Sequence, residues 1–366
     1  MTDLAARLAR RIATAGPITV ADYMAAALGD FTEGYYRRAL TPDEGPLGAG
    51  GDFVTAPEIS QLFGELIGAW LIDCWDRLGR PKPVRLVELG PGRGVLMADA
   101  LRIGRHVPQW LDAIELHLVE INPGLRQAQA DRLKDYRPVW HESLATVPDG
   151  PILIVANEFL DALPVRQLVH HQGAWRERLV GWQAEGGFHY ALSRGPSPLT
   201  LLVPPNLPPA AEGTIFEISP AAIAVVTDIA RRVVRQGGAA LLIDYGRAES
   251  TLGGTLQAVR AHKMVDVLRD PGRSDLSAHV DFGVLGRVAK EAGAAVHGPT
   301  TQGAFLTELG IKIRAERLKG GAPPDQALAL EASVARLIEP SQMGTLFKVA
   351  AIATPALDVA GFGKPT

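Results

Sequence analysis

The sequence has few of the residues that cross-link a protein or bind metal. Its 366 residues include one cysteine, Cys74, which excludes an internal disulfide framework and is most simply a packed core residue. The nine histidines lack the spacing of metal ligands, so the sequence indicates no metal site. No apolar run is long enough to span a bilayer, and we therefore expect no membrane insertion.

A large excess of charge of either sign is also missing. The chain has 37 Lys and Arg against 40 Asp and Glu, a formal net charge of −3. A protein held on nucleic acid by a basic surface needs an excess of positive charge, so we expect no nucleic-acid partner. A hydrophobic content of 47% and the length indicate a sizeable core, built as one large domain with a subdomain or insertion.

One glycine-rich stretch carries most of the chemical information. An apolar run predicts a buried strand that ends near Glu88, and glycines then occupy every second position, at Gly90, Gly92 and Gly94. The residues from 97 to 101 look helical, which makes the stretch a strand, tight turn and helix. Glycine lets the backbone approach a ligand that lies across the end of the strand, so the turn predicts a nucleoside site.

The order of these residues indicates which kind of nucleoside cofactor the turn binds. Dinucleotide-binding turns follow G-x-G-x-x-G, whereas this turn reads Glu-x-Gly-x-Gly-x-Gly with Pro91 inside it. It resembles the first motif of class I S-adenosylmethionine-dependent methyltransferases. An acid before the glycines then faces the methionine ammonium instead of repelling a phosphate. The alternative is an ordinary strand-to-helix turn with surplus glycine.

Polar residues follow the next three predicted strands. Glu120 ends the second strand, where a carboxylate accepts both ribose hydroxyls, although a solvated strand-end glutamate is the alternative. Ser143 follows the third strand, where the adenine amine finds an acceptor. Asn157, Glu158 and Asp161 follow the fourth strand, where donor and acceptor should meet.

The pair Glu158 and Asp161 supplies the predicted catalytic residues. Two carboxylates three residues apart can grip a guanidinium, and one of them can polarise or deprotonate the attacking nitrogen. The structural alternative is that Glu158 bonds backbone amides and that Asp161 caps the turn before Pro164.

Two features lie before the first strand of the sheet. A glycine-rich loop, in which Gly51 and Thr55 are candidate cofactor contacts, is expected to fold over the cofactor cleft as a lid from Gly51 to Ser60. The first twelve residues are amphipathic and arginine-rich, and a mitochondrial presequence is one interpretation of them. We favour a surface helix instead, which predicts a cytoplasmic location.

These elements predict an α/β fold with a doubly wound, mostly parallel sheet, an N-terminal helical segment and an inserted β-rich subdomain. The predicted parts are an N-terminal helical segment with the cleft loop (1–80), the first half of the core (81–165), the β-rich insertion (166–217) and the second half of the core with a substrate-groove loop (218–366).

A series of short motifs occurs in order along the chain: Gly16-Pro17-Ile18, Tyr23-Met24, Gly34-Tyr35-Tyr36, Gly51-Asp52-Phe53, Pro57-Glu58-Ile59-Ser60, Phe63-Gly64-Glu65, Glu88-Leu89-Gly90-Pro91-Gly92-Arg93-Gly94, Asn157-Glu158-Phe159-Leu160-Asp161-Ala162-Leu163-Pro164 and Ile243-Asp244-Tyr245-Gly246. With these motifs nearly the whole chain resembles the MidA family, as a bacterial-type member without an evident presequence. One departure is Ala56, where the resemblance implies a small hydroxyl residue.

The resemblance implies a Rossmann-like methyltransferase core, S-adenosyl-L-methionine as the donor and an accessible protein arginine as the acceptor. Mitochondrial members of that family methylate an arginine of a respiratory complex I subunit and assist complex I assembly. A homodimer is a further expectation. Two rival functions are a non-catalytic assembly chaperone that keeps the nucleoside site and a NAD-dependent oxidoreductase, and the glycine spacing opposes the second.

Overall fold

The structure, a computed structural model, describes residues 2–37 and 55–363. Its strands are β1 (Ile18–Thr19), β2 (Val84–Leu89), β3 (Ile114–Val119), β4 (Val139–His141), β5 (Ile152–Asn157), β6 (Arg166–His171), β7 (Ala174–Gln183), β8 (Gly187–Pro196), β9 (Ile215–Ile218), β10 (Gly238–Arg247), β11 (Gln257–Arg260), β12 (Lys263–Val265), β13 (Asp275–Ser277), β14 (Val280–Asp281), β15 (Ala295–Thr301) and β16 (Phe347–Ala353).

Its α-helices are α1 (Asp3–Ala15), α2 (Val20–Gly29), α3 (Ala56–Ile59), α4 (Gln61–Arg77), α5 (Val95–Gly104), α6 (Pro108–Leu111), α7 (Pro123–Arg132), α8 (Pro220–Gln236), α9 (Phe282–Glu291), α10 (Gln302–Glu308), α11 (Ile311–Lys319), α12 (Pro324–Ile338) and α13 (Met343–Leu346). Over the described ranges, no helix combines the length and apolar character needed to cross a membrane.

The central sheet has the order β15-β16-β10-β5-β2-β3-β4. The strands from β10 to β4 run parallel, and β16 and β15 are antiparallel to their neighbours. Every residue of β5 is buried because helices cover both faces of the sheet, which is why this strand reads as a continuous apolar run. The predicted doubly wound α/β core is confirmed.

The position of the site follows from the strand order. The chain adds β3 and β4 on one side of β2 and then returns to add β5 and β10 on the other side. The direction of winding therefore reverses between β2 and β5. In open α/β sheets a crevice forms at this reversal, beyond the carboxyl ends of the strands. The glycine turn after β2 and the polar residues after β3 and β5 meet there.

Two smaller sheets flank the core. The predicted hairpins between residues 166 and 216 form a sheet of β7, β6 and β9, with β8 on β7 and the N-terminal strand β1 also paired to β7. The stretch from 254 to 278 contains the three-stranded sheet β12-β11-β13, whose β13 residues are all buried.

Two helices, the short α3 and the long α4, meet at Ser60 before the first strand of the central sheet. Ser60 has an extended backbone (φ −156°, ψ 133°), and its hydroxyl oxygen accepts a hydrogen bond from the backbone N–H of Leu62 at 3.3 Å. This cap ends α3 and starts α4. Two glycines on α4 then allow α5 to approach closely, since a Cβ added at Gly68 would lie 2.6 Å from the carbonyl oxygen of Ala100.

We predict that Gly68→Ala destabilises the fold although alanine favours helix. The added methyl would meet backbone that cannot rotate away, and overpacking of this kind costs about 1–3 kcal/mol. Urea unfolding followed by circular dichroism measures the effect. The matched control is Gly286→Ala in α9, where the new Cβ would lie 3.6 Å from Val296 Cγ1. Unchanged stability in Gly68→Ala would contradict the close packing of α4 on α5.

Candidate active site

A cleft of about 730 Å³ opens at the carboxyl ends of the central strands. This volume lies within the usual range for a small-molecule site. Among the described residues, seven carboxylate side chains and one cationic side chain, Arg93, line it. The cleft is therefore strongly acidic. The seven are Glu58, Glu88, Glu120, Glu142, Glu158, Asp161 and Asp275.

The glycine turn forms one wall of this cleft. Gly90 and Gly92 line it and have positive φ angles of 65° and 52°, which glycine adopts without strain. A Cβ at Gly90 would also come within 2.9 Å of the Phe159 ring. Pro91 lines the cleft between them. Gly94 does not; its φ of 74° turns the chain into α5, so its predicted contact with the cofactor is not seen in the cleft lining.

Glu88 lies near the end of β2 and lines the cleft just before the glycine turn. Its side chain is buried, and its Oε2 has no hydrogen-bond partner among the described residues. Burial, reinforced by the neighbouring Glu120 carboxylate, raises the pKa of Glu88 to about 8. A buried acceptor without a donor is costly, so the ligand that fits here supplies a hydrogen-bond donor or a positive charge.

Glu120 ends β3 on the same side of the cleft. Its Oε1 accepts a hydrogen bond from the backbone N–H of Asn122 at 2.8 Å, and its Oε2 lies 3.4 Å from Gln129 Nε2. Gln129 Nε2 also donates to the carbonyl of Gly92 at 2.7 Å, which ties Glu120 to the glycine turn. Burial raises the pKa of Glu120, while these hydrogen bonds favour its charged form. The carboxylate is thus held in a fixed orientation.

Of the four remaining predicted cofactor contacts, the structure describes three, and all three line the cleft. Ser143 is exposed and lines the cleft beyond β4, and Thr55 lines the opposite wall just before α3. Asn157 lines the cleft at the end of β5, with a buried Oδ1 that has no donor among the residues described. Gly51 lies outside the described residues. Of the expected lid, the part from Thr55 to Ser60 is described, and Thr55, Pro57 and Glu58 line the cleft.

Glu158 follows β5 directly, with a positive φ of 51° that a non-glycine residue seldom adopts. Its Oε1 accepts hydrogen bonds from the backbone N–H of Ala56 at 3.0 Å and from Asn157 Nδ2 at 3.2 Å. Burial raises the pKa of Glu158 to about 7, and the carboxylates of Glu58 and Asp275 add to the effect. The group therefore changes charge near neutral pH.

Asp244 holds the loop that carries both predicted catalytic residues. It is fully buried in β10, and its Oδ2 accepts backbone N–H bonds from Phe159 at 3.1 Å, Leu160 at 2.8 Å and Asp161 at 3.4 Å. Burial raises the pKa of Asp244 to about 7 despite these bonds. Burial and the neighbouring Asp244 carboxylate hold the pKa of Asp161 well above its ordinary value.

Three residues of this site were not assigned to it from the sequence. Asp244 and Tyr36 occur only in the motifs that carry the family resemblance, without a predicted role. Asp275 lies in no such motif. The Tyr36 hydroxyl donates to Asp275 Oδ1 at 2.7 Å, and both residues line the cleft. This contact joins residues 239 positions apart, which no local pattern reports.

The unsatisfied atoms of the cleft indicate the kind of ligand it takes. Three buried side-chain atoms on cleft-lining residues lack a partner within the described part of the chain, and all three are oxygens: Glu58 Oε2, Glu88 Oε2 and Asn157 Oδ1. Ribose hydroxyls, an adenine amine and an ammonium group all donate hydrogen bonds. S-adenosylmethionine carries each of these groups, so the residues present fit it.

Within 2–37 and 55–363, no group of three or more His, Cys, Asp or Glu side chains could hold a metal ion.

Known proteins match this chain over most of its length. The Methyltransf_28 family, described as S-adenosyl-L-methionine-dependent methyltransferase, matches residues 66–300. A curated Drosophila melanogaster relative, protein arginine methyltransferase NDUFAF7 homolog, mitochondrial, is 38% identical over 96% of this chain and 84% of its own length. The Homo sapiens protein arginine methyltransferase NDUFAF7, mitochondrial, is 34% identical over 96% of this chain and 83% of its own.

A solved structure also matches the whole fold. A Burkholderia thailandensis protein bound to S-adenosyl-homocysteine has a TM-score of 0.82 and 29% identity, and the match covers 99% of this chain and 94% of that one. The cofactor of that structure is the product left after methyl transfer from S-adenosylmethionine. The prediction of a sulfonium donor in place of a dinucleotide is confirmed.

One prediction from the sequence is wrong. The amphipathic N-terminal stretch was interpreted as a surface helix of a cytoplasmic protein. The stretch is indeed the helix α1. The relatives that match nearly all of the chain are, however, named as mitochondrial proteins, which contradicts the cytoplasmic location. A helical start says nothing about the compartment, because many proteins begin with an amphipathic helix.

We predict that Gly92→Ala lowers the affinity for S-adenosyl-homocysteine by roughly tenfold or more, because a side chain at this positive φ strains the turn and enters the cleft. Calorimetric titration measures the loss. Gly79→Ala is the matched control: Gly79 also has a positive φ, of 82°, but nothing lies within 4 Å of an added Cβ there. Equal affinity in the two variants would refute the role of the glycine turn.

Proposed function

Because this chain belongs to the family of S-adenosyl-L-methionine-dependent methyltransferases, we propose that it methylates arginine in a protein. Its cofactor is S-adenosyl-L-methionine, which supplies an electrophilic methyl group when bound. For the cofactor site we propose Glu88, Glu120, Ser143 and Asn157 with the Gly90–Gly92 turn, and for catalysis Glu158 and Asp161. Thr55 extends the cofactor site from the opposite wall.

The observation that carries the proposal is the acidity of the cleft beyond the end of β5. The carboxylates of Asp244, Asp275 and Glu158 each raise the pKa of Asp161. Asp275 also raises the pKa of Glu158, and Glu158 raises that of Asp244. Arg93 is the one cationic side chain that lines the described part of the cleft. Its Nη1 lies 4.0 Å from Oε1 of Glu58, so its ion pair is with Glu58 and not with these four carboxylates. A cationic acceptor relieves the repulsion among these carboxylates, whereas a phosphate or carboxylate acceptor increases it.

Arginine suits this arrangement better than a single point charge does. A guanidinium is planar and offers five N–H donors in a fixed fork, so separate carboxylates can each take part of it. Glu158 and Asp161 lie on one loop, and Asp244 fixes it by accepting three backbone N–H bonds, from Phe159, Leu160 and Asp161. Two carboxylates on one loop match the two edges of the fork.

The proposed chemistry assigns a separate task to each carboxylate. The guanidinium is protonated at neutral pH, so its nitrogen attacks well only when a base orients it and takes a proton as the carbon–nitrogen bond forms. Glu158 Oε1 already accepts two hydrogen bonds, which leaves Oε2 to receive that proton. Asp161 holds the other edge of the guanidinium, and Asp244 fixes the loop.

The acceptor is proposed to be a protein, as the names of the curated relatives support. The resemblance seen in the sequence favours a respiratory complex I subunit. A homodimer stays a prediction. The rival function is an assembly chaperone that binds the nucleoside without turnover, and a transfer assay separates the two.

We predict that Glu158→Gln lowers methyl transfer by roughly a hundredfold or more, the usual scale for a positioned base, because the amide keeps the shape but cannot accept the proton. The assay follows labelled methyl from S-adenosylmethionine into arginine of an extract from host cells that lack this protein. Asp161→Asn should be milder. Affinity for S-adenosyl-homocysteine should change little in either variant, since both residues serve the acceptor.

The matched control is Glu185→Gln, an equal loss of charge at an exposed position between β7 and β8. Its rate should equal that of the wild type. Wild-type transfer by Glu158→Gln would show that the carboxylate is structural. Binding of S-adenosyl-homocysteine without any label in arginine would exclude the proposed reaction and favour the chaperone.

We also predict that the rate of transfer rises with pH through about pH 7. Burial raises the pKa of Glu158 to about 7, with the carboxylates of Glu58 and Asp275 acting in the same direction and those of Asp161 and Asp244 facing it. Below this pKa Glu158 carries a proton and cannot accept another, and above it the base is free. Initial rates between pH 5.5 and 9, set to bracket about two units around the pKa, test this. The residual activity of Glu158→Gln should lack the rise.

A further inference from the structure

The segment before the central sheet reaches the acceptor side of the cleft at two points. The backbone N–H of Ala56, the first residue of α3, donates to Glu158 Oε1 at 3.0 Å. The Tyr36 hydroxyl donates to Asp275 Oδ1 at 2.7 Å. Both donors precede residue 66, where the match to the methyltransferase family begins. Both donors therefore lie outside the part of the chain that the family match covers, whereas their acceptors Glu158 and Asp275 lie inside it.

The contact with Glu158 distinguishes its two oxygens. Oε1 accepts from Ala56 and from Asn157 Nδ2, whereas Oε2 accepts no hydrogen bond from the residues the structure describes. A carboxylate free to rotate would present either oxygen to the acceptor. With both donors bonded to Oε1, Oε2 is the oxygen that no described donor occupies, so the carboxylate is held in one orientation before its substrate arrives.

Tyr36 connects the two halves of the cleft. Its carbonyl oxygen accepts a hydrogen bond from Asn122 Nδ2, and the backbone N–H of Asn122 donates to Glu120 Oε1 at 2.8 Å. The Tyr36 hydroxyl donates a hydrogen bond to Asp275 on β13. The charge of Asp275 raises the pKa values of both Glu158 and Asp161. One residue thus touches the wall proposed for the ribose and the wall proposed for the acceptor.

We propose that the segment before the sheet completes the acceptor site, with the Ala56 amide and the Tyr36 hydroxyl as positioning groups that orient Glu158 and Asp275 toward the acceptor guanidinium. The proposal rests on arginine as the acceptor and adds that recognition of arginine depends on residues outside the methyltransferase core. Neither group takes part in the chemistry itself; each acts through a carboxylate.

Ala56→Pro tests the first contact, since proline lacks the N–H. Proline is accommodated at the first position of a helix, and the φ of −77° and ψ of 159° at Thr55 suit a residue before proline. We expect a roughly tenfold or greater loss of transfer into the host extract, the scale of a lost hydrogen bond to a charged group. The rise of rate with pH should move to higher pH, because the amide lowers the pKa of Glu158. Ala56→Gly keeps the N–H and serves as the control.

Tyr36→Phe tests the second contact and has a readout that does not depend on turnover. Calorimetry with the S-adenosyl-homocysteine complex measures binding of N-acetyl-L-arginine amide, with the uncharged citrulline analogue as the blank. We expect roughly tenfold weaker binding of the arginine probe and unchanged affinity for S-adenosyl-homocysteine. Tyr23→Phe is the matched control, since its buried hydroxyl donates to the Val267 carbonyl at 3.2 Å and Tyr23 does not line the cleft.

The outcomes separate this inference from the function on which it rests. If the wild type labels arginine but Ala56→Pro and Tyr36→Phe behave like Ala56→Gly and Tyr23→Phe, the positioning role is wrong and the function stands. If the wild type labels no arginine and does not bind the arginine probe, the proposed function is wrong. Losses confined to the two test variants, with the shifted pH dependence in Ala56→Pro, support the inference.

Discussion

The site depends on three carboxylates, those of Glu88, Glu158 and Asp244, that are buried at the ends of parallel strands and form no ion pair with any residue that the structure describes. Burial disfavours their charged form, and the pKa of Glu88 rises to about 8 and those of Glu158 and Asp244 to about 7. Because these pKa values are raised, the folded chain binds protons that the unfolded chain releases, and this contribution to stability is lost as pH rises toward the folded values. A positively charged group placed among these carboxylates would offset the repulsion.

A second constraint holds the loop after β5, where we propose that the acceptor binds, in an unusual shape. Glu158 has a left-handed backbone that a side-chain-bearing residue adopts at some cost. The surrounding contacts fix it: Glu158 N–H donates to the Ile243 carbonyl at 2.9 Å, and the next three amides converge on Asp244. Because β5 and β10 are neighbours, the loop after one strand is capped by the carboxylate of the other. The parallel pairing of these strands therefore shapes the loop.

The parts of the fold and site that a local pattern encodes could be predicted from the sequence. Apolar runs predicted the central strands, and Glu88, Gly90, Glu120, Asn157 and Glu158 were found because each lies within a few residues of a strand end. Boundaries that depend on one backbone angle, such as the break at Ser60, could not be predicted. The four-part division of the chain stays a prediction, as do the roles assigned to the individual site residues.

The part of the cleft proposed for the acceptor was harder to predict than the part proposed for the donor. The proposed donor part uses residues close together in sequence, such as Gly92, Glu120, Asn122 and Gln129. The proposed acceptor part joins α3 to the loop after β5, and the 3₁₀ turn Tyr35–Arg37 to β13, through contacts between residues more than one hundred positions apart. A compact local motif is visible as a pattern in the sequence, whereas contacts between distant segments form only when the chain folds. The sequence therefore indicates the cofactor more directly than it indicates the acceptor.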